Sequence, residues 1–135
     1  MPLIRPTLRR RISVEGPRDA DDVWDRYQRP GRWTEWSPQI RGVDYPAEFL
    51  APHTSGTVRG PARLPVRFRV LHVDATAAVR SWSWTASAAG VRLTLHHTVE
   101  PIATGTRTGL VVEGFAPAVL GYLPVAGWAL HRLVR

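Results

Sequence analysis

Cysteine is missing from this 135-residue chain, which excludes disulfides and thiolate metal sites while leaving the redox compartment open. Lysine is missing too. All 18 basic residues are arginine, against 11 carboxylates, for a formal charge of +7. No Walker A, GxGxxG, GxSxG or HExxH pattern occurs, so P-loop, Rossmann, acyl-serine and zincin chemistry find no support, and neither a metal nor a cofactor is expected. The N-terminal MPLIRPTLRRR lacks an apolar h-region, which argues against a secretory leader and for a cytoplasmic protein. A long unbroken apolar run is also lacking. Gly114 to Leu130 carries no charge, yet it falls short of the about 20 residues a spanning helix needs and contains Pro117, Pro124 and internal glycines. It reads as a buried helix or a cavity lid, with a membrane-contacting tail as the alternative.

What is present is a hydrophobic fraction of 44% with 21% charged residues, ordinary for a soluble globular chain. The length suits one domain, 1–135, with a core of its own. A basic field attracts nucleic acid, anionic lipid or acidic ligands. Here the arginines are scattered, with Arg9–Arg11 the only tight run, and together with abundant Ala, Val, Gly and Pro they read as the codon bias of a high-GC bacterial genome. No nucleic-acid-binding motif accompanies the charge, so no nucleic-acid partner is expected.

Residues 8–14 read as a strand. Ala20, Val23, Trp24 and Tyr27 then recur at i, i+3, i+4 and i+7, one face of a helix whose first turn holds Asp19, Asp21 and Asp22, where carboxylates meet free N–H groups. Pro30-Gly31 ends that helix, and residues 32–36 form one further turn with Trp33 and Trp36 on the same side. A strand from Ile40 to Tyr45 follows, then a Pro/Gly-rich loop with a short strand at Thr57–Arg59. Beyond Pro65 the period becomes two: VRFRVLHVD with a phase slip at Val70-Leu71, SWSWT, VRLTLHHTV, and Thr106 to Phe115. From Pro117 the chain reads as helix, bent at Pro124. Sequential strands with helices grouped at the ends give an α+β protein with its helices packed on one sheet face.

This order resembles the START/Bet v 1-like (SRPBCC) superfamily, in its polyketide cyclase/dehydrase-like branch. The stretches that carry the likeness are GPRDADDVWD (16–25), WTEWSPQI (33–40), VRFRVLHVD (66–74), SWSW (81–84), LHHTVEP (95–101) and the Gly-Thr-Arg turn at 105–107. The resemblance implies a helix-grip fold, a curved antiparallel sheet wrapped around a C-terminal helix with two short helices after the first strand. It also implies a mostly apolar internal pocket, in which members bind lipids, sterols, polyketides or aromatic compounds and some cyclise or dehydrate them. Carrying a function across this fold is analogy.

His97 shares the phase of Val91, Leu93, Leu95 and Val99 and should point inward, whereas His96 should face solvent. Inside, its imidazole is either a general base or ligand hydrogen bonder, or a structural histidine satisfied by its neighbours. Glu113 either pairs with His97 as a base dyad or stands outside as a solvated charge. The faces taken by Arg67, Arg69 and His72 are hidden by the phase slip. Trp24 reads as core, and Trp82 and Trp84 as inward-facing. Trp36 reads as an anchor under the first helices, Trp33 as a rim residue, and Trp128 as a cap over the pocket. Candidate ligand contacts are thus Trp33, Trp36, Phe49, Phe68, His72, Trp82, Trp84, Leu95, Tyr122 and Trp128. Three functions follow: a carrier of a small hydrophobic ligand, a cyclase/dehydratase using His97 and Glu113, or a membrane-surface protein using the apolar C-terminal segment.

Overall fold

A computed structural model describes residues 6–135; residues 1–5, where the reading of a missing leader begins, lie outside the described residues. Among the described residues seven strands form one antiparallel sheet: β1 (Thr7–Gly16), β2 (Gly42–Asp44), β3 (Ser55–Arg59), β4 (Pro65–Asp74), β5 (Arg80–Ala88), β6 (Val91–Ile102) and β7 (Gly105–Phe115), in the order β1-β7-β6-β5-β4-β3-β2. Helices α1 (Ala20–Gln28) and α2 (Trp33–Trp36) leave β1, and α3 (Ala116–Leu133) closes the chain over the same sheet face. This is the expected helix-grip arrangement.

Local chemistry explains the elements. Asp19 caps α1, its carboxylate accepting from the Asp21 amide at 3.1 Å, and Ala20, Val23, Trp24 and Tyr27 are buried along the anticipated face. Along β6, Leu95, His97 and Val99 are buried while Arg92 and Thr94 are exposed, the alternation of a half-buried strand. The phase slip in β4 is a β-bulge: Val70 pairs Trp84 and His72 pairs Ser83, so Leu71 is the extra residue. The strand expected over Ile40–Tyr45 shrinks to Gly42–Asp44, and the one at Thr57–Arg59 lengthens to Ser55–Arg59.

α3 runs on through Pro124 to Leu133. Its C-terminal end is bolted down. The Arg18 amide donates to Val134 O at 2.9 Å, and the buried Arg26 guanidinium donates to Leu133 O at 2.7 Å and Arg132 O at 3.2 Å. A cation there satisfies carbonyls that the helix leaves open and matches the negative end of its dipole. Gly16 lets the end approach, since a Cβ on it would lie 2.4 Å from Val134 O.

Candidate functional site

A cavity of about 370 Å³ lies between α3 and the inner face of the sheet. It exists because side-chain size changes along the strands. In SWSWTASA the inward positions of β5 are Trp82, Trp84, Ala86 and Ala88, and opposite them α3 presents Gly121, Ala126 and Ala129. Large rings fill one end and small residues leave the other empty. From Val91 to His97 along β6 the void extends for about 20 Å at the rise of a strand. Pro61 and Gly121 are the solvent-exposed members of its wall and mark the mouth.

The floor is a stack of rings. Trp82 lies parallel to His97 (4.6 Å between centroids, 9°), and also stacks on Trp84 (5.4 Å, 22°) and Trp33 (5.6 Å, 29°). The two tryptophans of RWTEW hold this floor to α1. Trp33 Nε1 donates to Tyr27 O at 2.8 Å, and Trp36 Nε1 to Arg26 O at 3.2 Å. These carbonyls belong to the last turn of α1, which leaves them without helical partners, so α2 is an indole cap on α1. Trp33 is only 1% exposed, which corrects its reading as a rim residue. Helical spacing puts both rings on one side, and the break at Pro30-Gly31 turns that side inward.

His97 is inward and buried, with both ring nitrogens engaged. Trp84 Nε1 is 2.9 Å from His97 Nε2. An indole N–H can only donate, so Nε2 accepts and the ring proton resides on Nδ1. Nδ1 then donates to Tyr27 Oη (3.1 Å), Tyr27 to Thr108 Oγ1 (3.0 Å), and Thr108 to Thr98 O (2.9 Å). Every hydroxyl and ring proton in this relay is used, and the direction is fixed by its two ends. Burial, with a smaller contribution from neighbouring His96, pushes the His97 pKa down to about 3, so the ring is neutral. Its one lone pair that could take a proton already accepts from Trp84.

Other anticipated residues divide by position. Trp33, Trp36, Trp82, Trp84, Leu95 and Tyr122 line the cavity with His97. Phe68 is buried behind it, packed on Trp33 and Trp84. Phe49 is an exposed loop residue under the Arg29 guanidinium, 4.5 Å from it. The bulge turns His72 to the outer face of the sheet, beside Ser83. Glu113 stands there as well, opposite Arg9 and Thr94, so no dyad with His97 forms. Trp128 is 58% exposed, because the helical period that points Tyr122, Ala126 and Ala129 at the cavity points Leu120, Pro124 and Trp128 away from it.

Among the polar groups of the cavity wall, buried Gln39 Oε1, the buried Trp82 indole N–H and the Tyr122 hydroxyl, whose pKa burial pushes up to about 12, lack a protein partner among the described residues. Gln39 was missed in the sequence because it sits in a loop without periodicity. The small residues left a signal in SWSWTASA, where Ala86 and Ala88 continue the phase of the tryptophans. No Asp, Glu, Lys or Arg lines the cavity among the described residues.

With this geometry in view, a family profile described as "Polyketide cyclase / dehydrase and lipid transport" matches residues 7–135. The chain belongs to that family. No curated protein matches it. Among solved structures it is similar to protein MLL2253 from Mesorhizobium loti, with TM-score 0.78, 17% identity, and 93% of each chain covered. Truncated norcoclaurine synthase from Thalictrum flavum aligns with TM-score 0.69 and 16% identity over 98% of this chain and 95% of that one. Ara h 8.0201 aligns with TM-score 0.68 and 9% identity over 95% and 96%. At these identities the likeness fixes the fold, which is that of the Bet v 1-like SRPBCC superfamily, and leaves the function to the site.

Proposed function

We propose that the protein binds a small, uncharged, largely apolar ligand in the cavity and acts as a binding or carrier protein. The observation that carries this reading is the wall itself: a void of about 370 Å³ with an aromatic floor and no charged side chain among the described residues. That volume is in the range of small-molecule sites. It leaves room for a molecule of a few rings. Burying an ionised group there would go uncompensated. The stacked indoles favour a flat molecule, and Tyr122 and Gln39 supply one donor and one acceptor for its polar substituents.

A second reading, cyclase/dehydratase chemistry on a polyketide or aromatic substrate, has the family description behind it. Tyr122, kept as a neutral phenol, could donate to a substrate carbonyl. A base is harder to find: His97 is spent, Glu113 is outside, and no carboxylate lines the cavity among the described residues. The binding reading therefore stands first. α3 serves it as a roof, since Val119, Ala126, Ala129, Leu130 and Leu133 are buried and no helix among the described residues is long and apolar enough to cross a membrane.

The test is calorimetric titration with 2-naphthol, naphthalene and 2-naphthoate, on the wild type and on Ala126→Phe, whose ring would occupy the void. Binding of the two neutral probes, lost in Ala126→Phe while its circular dichroism is unchanged, is the expected result. Equal binding by the filled variant would overturn the reading.

A further inference from the structure

We infer that the protein docks mouth-first on an anionic lipid bilayer, through an arginine-rich half of the outer sheet face and the apolar rim beside it. The sequence alone left its charge looking scattered, but the fold sorts it. Four carboxylates of the helical side are already paired, Asp22 with Arg18, Asp25 with Arg29 and Arg32, Glu35 with Arg32, and Asp21 with Arg80, and Asp19 caps α1. By contrast Arg9, Arg11, Arg67, Arg69 and Arg92 have no ion-pair partner among the described residues. Strand register gathers these five on one face. Thr57, Arg67, Ser87 and Arg92 form one cross-strand row, and Ser55, Arg69, Thr85, Thr94, Glu113 and Arg9 form the next.

This face is mostly polar along its length, with Leu71 and Val111 among its apolar members. Glu15, Asp74 and Glu100 lie at the far end with Arg107, which bridges the two glutamates. At the mouth end the carboxylates are Glu113 and Asp44, and Asp44 is held by Arg59 at 2.7 Å. The field of the arginine half is felt at His96 in mid-sheet: after burial, His72, Arg11 and Arg9 hold its pKa below the usual histidine value. Arg67, Arg69 and Arg92, with Ser55, Thr57 and Ser87, also line an open groove of about 630 Å³. Guanidinium forks and hydroxyls are suited to phosphate oxygens.

The mouth opens at the same end. Pro61 of its rim is followed by exposed Arg63 and by Leu64 (46% exposed), and Gly121 of its rim is preceded by Leu120 (54% exposed). Exposed leucines flanked by unpaired arginines match a surface that is apolar below and anionic above. Nucleic acid fits less well. The one aromatic in the groove, Phe68, is buried at 3% exposure and offers no platform for a base. The rim leucines would also have nothing to enter. A bilayer is moreover the phase in which an apolar ligand dissolves, so docking there would put the mouth against its source.

Sedimentation with vesicles of phosphatidylcholine, with and without about 30% phosphatidylglycerol, tests this. Binding is expected only with the anionic lipid, weakening as salt rises. Each of Arg63→Gln, Arg67→Gln and Arg92→Gln should lower partitioning about five-fold. Leu64→Ser with Leu120→Ser should lower it further, while Arg135→Gln and Val79→Ser, at the far end, should leave it unchanged. Equal binding to neutral vesicles, wild-type binding by the rim variants, or tighter binding to duplex DNA than to anionic vesicles would each overturn the inference. Docking does not depend on the ligand reading: Ala126→Phe should lose naphthol and still sediment.

Discussion

Acid should unfold this protein through His97, earlier than through its carboxylates. The folded ring has a pKa of about 3, whereas an unperturbed histidine has 6.5. Between those values the unfolded chain binds a proton that the native state refuses, so stability rises with pH across this window. The contribution is complete above about pH 6.5 and is lost as pH falls towards 3. Linkage gives about 2 kcal/mol lost by about pH 5 and about 3 kcal/mol by about pH 4, relative to about pH 8. The structural cause is specific. Protonating Nε2 would put an N–H against the Trp84 N–H, 2.9 Å between nitrogens, inside a shell of rings with no anion to answer the charge. The measurement is urea denaturation at steps from about pH 8 to about pH 4, on the wild type and on His97→Gln. Half-buried His96, also held below its usual pKa, and the arginine-paired carboxylates Asp22, Asp25 and Glu35 act in both proteins, so the difference between the curves isolates His97. His97→Gln should start less stable at neutral pH, because the relay loses at least one partner, and should fall more slowly. Parallel curves from about pH 8 to about pH 5 would refute the neutral, doubly bonded histidine.

Two further outcomes concern the bolt that holds α3. Gly16→Ala places a methyl 2.4 Å from Val134 O and 2.5 Å from Val134 Cγ2, and should cost about 1–3 kcal/mol by overpacking, read as a lower urea midpoint. Arg26→Met keeps the unbranched stem of the side chain but removes the guanidinium and strands the Leu133 and Arg132 carbonyls, and should cost about 2–4 kcal/mol in the same assay. A neutral result for Arg26→Met would mean that water replaces the guanidinium and that the end of α3 is held by Arg18 alone.

Much of this was legible in the chain. Alternation in VRLTLHHTV separated His97 from His96 and put the right one inside, and the phase slip at Val70-Leu71 marked the bulge. Other positions were misread for identifiable reasons. Trp128 and Trp33 look alike as isolated indoles, yet one is 58% exposed and the other 1%. What separates them is the turn after Pro30-Gly31 and the phase of α3 against the sheet. Glu113 was ambiguous because an apolar strand such as LVVEGF has no polar side to read.

By itself, then, the sequence determined the elements, their order, the inward faces of β5 and β6 and the acidic first turn of α1, because each depends on residues within a few positions of one another. Tertiary structure alone decided the rest. The proton on His97 is placed by Tyr27, 70 residues away, and by Trp84; the void depends on alanines of β5 facing a glycine and alanines of α3. Ion pairing on the helical side left five arginines uncompensated on the other. Periodicity belongs to a single element, whereas a cavity, a satisfied hydrogen bond and an unbalanced charge belong to several elements at once.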